Sequence, residues 1–229
     1  MIIREDTLES EIEENYPILW PISAVFKDGK VTLTTYKELE DKLSFIEGMS
    51  EEELFKEDTI DRIIGVIEKD VEAHGYEISY GKNYIYKINR REDVNKSLIL
   101  DSSEVLVPES DYESLIDIQP EQLEMGCLVF ATVLDGTIVS VAGENPYRED
   151  ENTVDIGVET ADGYTGKGYG ASNTAALAYY LLDTGMTVSY TVDDENDVSV
   201  RLAERAGFIR DSHVLNIMAQ KCDQSNEQE

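Results

Sequence analysis

The sequence predicts an α/β (α+β) protein, and three observations carry that prediction. A glycine-rich run, Gly166-Lys167-Gly168-Tyr169-Gly170, opens an Ala-rich amphipathic segment. Strand-like and helix-like segments alternate around it, which makes a right-handed βαβ unit. Ahead of that unit, two β-rich runs flank Asp135-Gly136, a two-residue hairpin turn. The fold class is therefore a mixed sheet with helices packed on it, preceded by an α+β N-terminal region.

Taken in order, residues 5–15 place Leu8 and Ile12 on one face of a short acidic helix. The stretch 25–33, broken by Asp28-Gly29, reads as a hairpin. Ser50-Glu51-Glu52-Glu53 forms a capping box, and Ile60, Ile63, Ile64, Ile67 and Val71 follow at helical spacing as one helix over 59–71. The Tyr- and Ile-rich stretch 76–88, with Gly81-Lys82-Asn83 as its turn, reads as a second hairpin. Residues 82–96 are the one locally basic stretch, and 101–119 is polar with Pro108 and Pro120 as breakers, which sets a domain boundary at 96/97. The hairpin 127–143 ends at Asn145-Pro146, and 154–160 is a strand. The segment 168–184 is a helix whose Ala171, Ala175 and Ala178 allow close approach to a sheet, with Gly185 as its stop. A strand at 187–192, a helix at 197–206 stopped by Gly207, and a final strand or strand pair from Phe208 complete the chain.

The 229 residues are enough to bury a core, and the 41% hydrophobic content is that of a globular protein. The longest apolar runs are too short to span a bilayer, and the acidic N-terminus carries no apolar leader, so a cytoplasmic protein is expected. Cys127 and Cys222 form neither a disulfide framework nor a metal-ligand spacing, and His74 and His213 are isolated; no metal is expected. The 49 Asp and Glu against 19 Lys and Arg give a net charge of -30, which opposes nucleic acid and anionic membranes as partners. The same charge would draw cations, though it serves solubility equally well.

Three glycines at a helix start converge backbone N–H groups on an anion with no side chain in the way. A Walker A loop is excluded, because Gly166-Lys167 is followed by Gly168 and not by Ser or Thr. A dinucleotide fold is a rival, since Gly166-x-Gly168-x-x-Ala171 fits its pattern and Asp193 or Asp194 stands where a ribose-binding acid would be. Against it, five residues separate the strand from Gly166, and too little chain follows Asp194 for a doubly wound sheet.

A second motif decides between them. Asn196-x-x-Ser199-x-x-Leu202-Ala203-Glu204-x-x-Gly207-Phe208 follows the glycine loop with a strand in between. Read alone it is an N-capped amphipathic helix; in this order the two motifs resemble the GNAT superfamily of N-acetyltransferases, over roughly residues 126–220. The resemblance implies a mixed, mostly antiparallel sheet that splays between the strand before the loop and the strand ending at Val192. It implies acetyl-CoA as acetyl donor, with a cofactor site at Val158 and Thr160 for the pantetheine and Thr165, Gly166, Lys167, Gly168, Tyr169, Gly170 and Ala171 for the pyrophosphate. Asn196 would contact the coenzyme arm, and Ser199 and Arg201 would reach towards the phosphates. Thr165 departs from the Arg or Gln usual at the start of the family's loop.

The implied activity is direct transfer of acetyl to a primary amine of a small molecule or peptide by a monomer or homodimer. Residues 1–96 would then cover or shape the acceptor site, and 97–229 would form the acetyltransferase domain. Many relatives place a Tyr where this chain has Ala203, so another group would serve as acid: Tyr190 is the candidate, with Tyr179 or water as alternatives. Glu159, Asp155 and Glu144 lie on or beside the cleft strands and are the candidate bases. The loss at Ala203 also leaves open a non-catalytic acyl-CoA-binding protein.

Overall fold

The structure is a computed structural model that describes residues 1–107, 112–118, 123–146, 150 and 152–222. Pro108 and Pro120 lie outside the described residues. The chain divides into two compact units, Met1–Tyr84 with the chain from Ser212 on, and Ile85–Asp211. The first unit thus ends at 84, where the sequence reading sets a boundary at 96/97, and the chain returns to it at 212.

In the first unit, β1 (Ile2–Ile3) pairs in parallel with β3 (Lys30–Thr35), and β3 runs antiparallel to β2 (Ile18–Lys27). Asp28 and Gly29 turn the β2–β3 hairpin with φ of 51° and 74°, the doubly positive turn that matches strand twist. The C-terminal strand (Ile209–Lys221) lies antiparallel to β2, with Val214 opposite Val25 and Ile217 opposite Ile22. Five short helices accompany these strands: α1 (Leu8–Glu13), α2 (Glu40–Leu43), α3 (Glu51–Leu54), α4 (Glu57–Ile64) and α5 (Glu68–Glu72). Ser50 and Glu53 make the expected capping box at α3.

The helix expected over 59–71 is two helices. After α4, Val66 and Ile67 donate to carbonyls three residues back, those of Ile63 and Ile64, and a new helix starts at Glu68. The apolar face survives the break: Ile60, Ile63, Ile67 and Val71 are all fully buried with Leu19, Ile22 and Leu54. Burying each large aliphatic side chain stabilises the fold by about 1.5–3 kcal/mol. His213 is structural, stacked on Phe55 at 3.4 Å between centroids, with Nδ1 2.9 Å from Glu51 Oε1. The expected hairpin over 76–88 is instead one strand, β4 (Tyr76–Ile88). Gly81 is not among the residues of positive φ, so the backbone there does not turn.

In the second unit the strands are β5 (Ser103–Val105), β6 (Glu113–Ser114), β7 (Val129–Leu134), β8 (Thr137–Glu144), β9 (Thr153–Thr160) and β10 (Thr187–Asp193); the C-terminal strand is β11. The sheet is mostly antiparallel: β5 on β7, β7 on β8 and β8 on β9 are antiparallel, and β6 on β8 and β9 on β10 are parallel. Helices α6 (Tyr169–Asp183) and α7 (Asp197–Ala206) flank it.

Helix α6 packs against β5, β7, β8 and β9 with Ala175, Leu177 and Ala178 fully buried. It also buries polar side chains, of which Asn173 is the best partnered. Asn173 Oδ1 accepts from Ser103 Oγ at 2.7 Å and Thr132 Oγ1 at 3.2 Å, and its Nδ2 donates to the Ser140 carbonyl at 3.0 Å. Such a satisfied network fixes the helix in one register on the sheet, since slipping would leave buried polar groups unpaired.

Helix α7 ends at Gly207, whose φ is 106°. The segment before β5 closes over that end: Asn95 N–H donates to the Ala206 carbonyl at 3.0 Å, and Asn95 Nδ2 to the Arg205 carbonyl at 3.0 Å. A Cβ on Gly207 would stand 2.1 Å from the Asp93 carbonyl oxygen, whereas one on Gly185, also at positive φ, would meet nothing within 4 Å. We therefore expect Gly185→Ala to cost only the backbone term of about 1–2 kcal/mol. Gly207→Ala should cost about 3 kcal/mol or more in urea unfolding, and equal losses for the two would contradict the contact.

Candidate active site

The site is built where β9 and β10 part. Their pairing runs over Thr153 with Thr187, Val154 with Val188 and Asp155 with Ser189. Beyond it, β9 continues through Ile156–Thr160 and β10 through Tyr190–Asp193. On its other edge β9 stays paired with β8 as far as Thr160, opposite Ser140. Asn145 N–H donates to the Asp155 carbonyl at 2.8 Å and Ala161 N–H to the Val139 carbonyl at 2.9 Å. Odd-numbered residues of β9 thus turn their backbone groups towards β8. By strand alternation, Ile156, Val158 and Thr160 turn theirs towards the gap on the β10 side.

Past the end of β9 the chain enters the glycine loop. Gly166 has φ of 74°, and Gly168, the N-cap of α6, has φ of 91°. A Cβ at either would have no atom within 4 Å, so both glycines serve backbone direction and leave open space in front of the loop. The N–H groups of Tyr169, Gly170 and Ala171 have no acceptor within the helix, which starts with the bond from Ser172 N–H to the Gly168 carbonyl. Gly170 has a different reason: a Cβ there would lie 3.0 Å from Thr160 Oγ1 and 3.3 Å from Val158 Cγ2. The missing side chain lets the helix start sit directly on the end of β9. Among the cations, exposed Lys167 holds Nζ 4.5 Å from the Tyr164 ring centroid, and exposed Arg201 lies 3.8 Å from Asp197.

Helix α7 begins beside the loop. Asn196 caps it, accepting from Ser199 N–H at 3.1 Å. The Ser199 side chain hydrogen-bonds Tyr190, a buried residue packed edge-on against Phe208 at 6.2 Å between centroids. Burial pushes the Tyr190 phenol above its ordinary pKa, with the Ser199 bond opposing that shift and the Asp155 charge adding to it. Asn196 and Ser199 thus have internal partners. Thr165 is exposed at the loop's start, and Ala203 is fully buried.

The three carboxylates singled out in the sequence meet in one place. Glu144, Asp155 and Glu159, with Val158, line a cavity of about 420 Å³ that also takes in Asp117, Ile118, Val129, Val141 and Gly143. Glu144 is buried at the end of β8 opposite Ile156, Asp155 is half-buried, and Glu159 is exposed. Tyr190 is not part of that lining. Sequence reasoning missed Asp117 and Ile118, which come from a segment without periodicity, and the partners of Asp155. Ser189 Oγ and Thr191 Oγ1 both donate to Asp155 Oδ1, at 2.9 and 3.1 Å. The alternation Ser189-x-Thr191 beside a parallel strand was the available signal. Among the described residues no three His, Cys, Asp or Glu are grouped to hold a metal, and no helix is long and apolar enough to cross a membrane.

Splayed strands and an N–H-lined loop at a helix start are one half of the identification; the sequence supplies the other. It matches the profile of the acetyltransferase (GNAT) family over residues 91–208, more than half of the chain. The chain belongs to the GNAT acetyltransferase family. Among solved structures, this acetyltransferase is similar to a GCN5-related N-acetyltransferase-like protein from Streptococcus suis 89/1591, at 18% identity and a TM-score of 0.50, over 94% of this chain and 95% of that one. It is also similar to a Drosophila protein at 13% identity and a TM-score of 0.51, over 90% and 76% of the two chains. A putative GNAT acetyltransferase from Novosphingobium aromaticivorans DSM 12444 aligns at 17% identity and a TM-score of 0.48, over 65% and 69%. At these identities the likeness is one of fold. No curated protein matches the chain.

The family uses acetyl-CoA, and the residues present fit it. The loop offers converging N–H donors and open space to a pyrophosphate, and the gap side of β9 offers backbone groups to the amides of an extended arm. Acetyl-CoA at 100 times its dissociation constant should stabilise the protein by about 2.7 kcal/mol, read as a rise in Tm, and NAD should not. Gly168→Val should lose that rise while Gly185→Ala keeps it. An undiminished rise in Gly168→Val would remove the loop from the cofactor site.

Proposed function

We propose that the protein transfers acetyl directly from acetyl-CoA to a primary amine. The observation that carries the reading is the placement of an acidic cavity along β9, the strand that also borders the coenzyme gap. Acetyl-CoA supplies an activated thioester whose sulfur leaves readily without a strong acid. Gly166, Gly168 and the first N–H groups of α6 hold the pyrophosphate, with Lys167 and Arg201 adding positive charge beside it. Val158 and Thr160 pair through their backbones with the pantetheine arm.

The cleft carboxylates act on the acceptor. An ammonium must give up a proton before its nitrogen can attack, and a carboxylate within reach, directly or through one water, accepts it. Glu144 is placed deepest, and Glu159 stands at the open rim. Tyr190 keeps its proton because burial raises its pKa; a phenol so held is a weak acid, in keeping with a leaving group that needs none. The alternative, a protein that binds acyl-CoA without transferring it, is favoured by buried Ala203 where many relatives place a Tyr. Release of CoA in the presence of amines separates the two.

An acidic cleft raises the local concentration of cations, and salt screens that effect. We expect kcat/KM for an amine to fall as ionic strength rises, while acetyl-CoA binding holds or improves. Glu144→Gln should lower kcat by about 100-fold or more with acetyl-CoA binding intact, the scale of general acid–base catalysis. Salt-independent rates would leave the charge to solubility, and an unaffected kcat in Glu144→Gln would move the base to another carboxylate.

A further inference from the structure

We propose that Tyr190 limits the donor to a short acyl group by closing the end of the gap where that group comes to rest; this rests on the acetyl-transfer reading above. The gap between β9 and β10 has an open end and a closed end. The glycine loop stands past Thr160 at the open end, and the last pair the strands share, Asp155 with Ser189, closes the other. An arm held by its phosphates at the loop therefore runs back along β9. The five residues from Thr160 down to Ile156 span about 17 Å at the rise of a strand, and the acyl end arrives where the strands rejoin. One step past the last pair, Ile156 on β9 and Tyr190 on β10 stand level with each other.

Both side chains are buried, Ile156 at 2% and Tyr190 at 5% exposure, as are Val154, Val188 and Val192, which share their face by strand alternation. The Tyr190 ring is held in place from two sides. It lies edge-on to Phe208 at 6.2 Å between centroids, and its hydroxyl is bonded to the Ser199 side chain at the start of α7. The opposite face of β9 is bare at Gly157, which lines the cavity and where a Cβ would meet nothing within 4 Å. That face is the acceptor's way in, so an acyl tail turned into it would shut the amine out. A longer tail is left with the face that Tyr190 fills, where a close-packed interior has no room for further methylenes. Tyr190 is thus a specificity-determining residue, and Phe208 and Ser199, which act through it, are positioning residues.

The test uses the full chain and acetyl-CoA isotope-labelled at its acetyl methyl. Isotope-filtered NOE spectra should connect that methyl with the Tyr190 ring and the Ile156 methyls, a readout that needs no turnover and no altered protein. Turnover of acetyl-CoA and butanoyl-CoA is then compared with hydroxylamine as acceptor, a small amine already uncharged at neutral pH. Acetyl-CoA should be favoured in kcat/KM by about tenfold or more, the scale of forcing two methylenes into a packed site. Tyr190→Leu should bring that ratio towards one through a gain with butanoyl-CoA, and Tyr190→Phe, which keeps the ring, should hold it. A merely structural role for the ring would lower both rates together and leave their ratio unchanged. Equal use of the two donors by the native protein would overturn the inference and leave acetyl transfer standing. So would methyl contacts that fall on Val129 and Val141 in the cavity and not on Tyr190. Turnover of neither donor, with the methyl still against Tyr190, would overturn the acetyl-transfer reading while keeping Tyr190 as the wall of an acyl-CoA site.

Discussion

Two parallel strands that share hydrogen bonds over only three residue pairs, and then part, set up the rest of the second unit. Each strand residue past Asp155 on β9 still has its neighbour on β8, so β9 does not lose its place in the sheet. What opens is the other edge, where alternate N–H and C=O groups face away from β8. Buried backbone groups need partners, and an extended ligand with amides of its own is the kind of partner such an edge takes. The glycine loop stands at the far end of the same strand. Close packing of Gly170 on Val158 and Thr160 ties the helix start to that edge. Cradle and gap are therefore one construction, placed by a residue without a side chain.

The two faces of β9 have different work. Even-numbered side chains, Val154, Ile156, Val158 and Thr160, share the face on which Val158 and Thr160 meet Gly170 at the start of α6. Asp155, Gly157 and Glu159 share the opposite face and line the acidic cavity, which Val158 also borders. In the proposed reading a single strand offers its backbone edge to the donor and side chains to the acceptor. Asn173 and its partners on β5, β7 and β8 keep α6 in register, so that edge is held by interactions remote from the chemistry. The net charge of -30 favours cations and opposes an anionic cofactor. Backbone N–H groups at a helix start answer part of that conflict, because their partial charge does not depend on the sign of the surface.

Much of the second unit was legible because its signals are local. The Asp135-Gly136 turn adopts the positive φ values of 50° and 81° that such a pair allows, and Gly185 and Gly207 end their helices as the pattern says. The order of the two motifs carried the family. What was not legible depended on distant partners. Gly81-Lys82-Asn83 has the composition of a turn, yet β4 runs through it as one strand. Gly65 interrupts a helix whose apolar spacing runs straight through it, because burial of Ile60, Ile63 and Ile67 constrains side chains more than backbone continuity. The return of β11 to the first unit is a matter of register with β2, which no local pattern encodes. The three carboxylates that meet in the cavity stand out among 49 by their place on or beside strands. The hydroxyls that hold Asp155 do not, since Ser and Thr on a strand read only as β-prone residues.

The central claim is that one edge of β9 and the loop after it receive the donor. The most direct measurement is the backbone amide spectrum of the full chain titrated with CoA. The account predicts that the largest shifts fall on Val158, Thr160 and the run from Gly166 to Ala171, with β5 and β7 little changed. Shifts concentrated in the first unit, or none at Gly168, Tyr169 and Gly170 at saturating CoA, would contradict it.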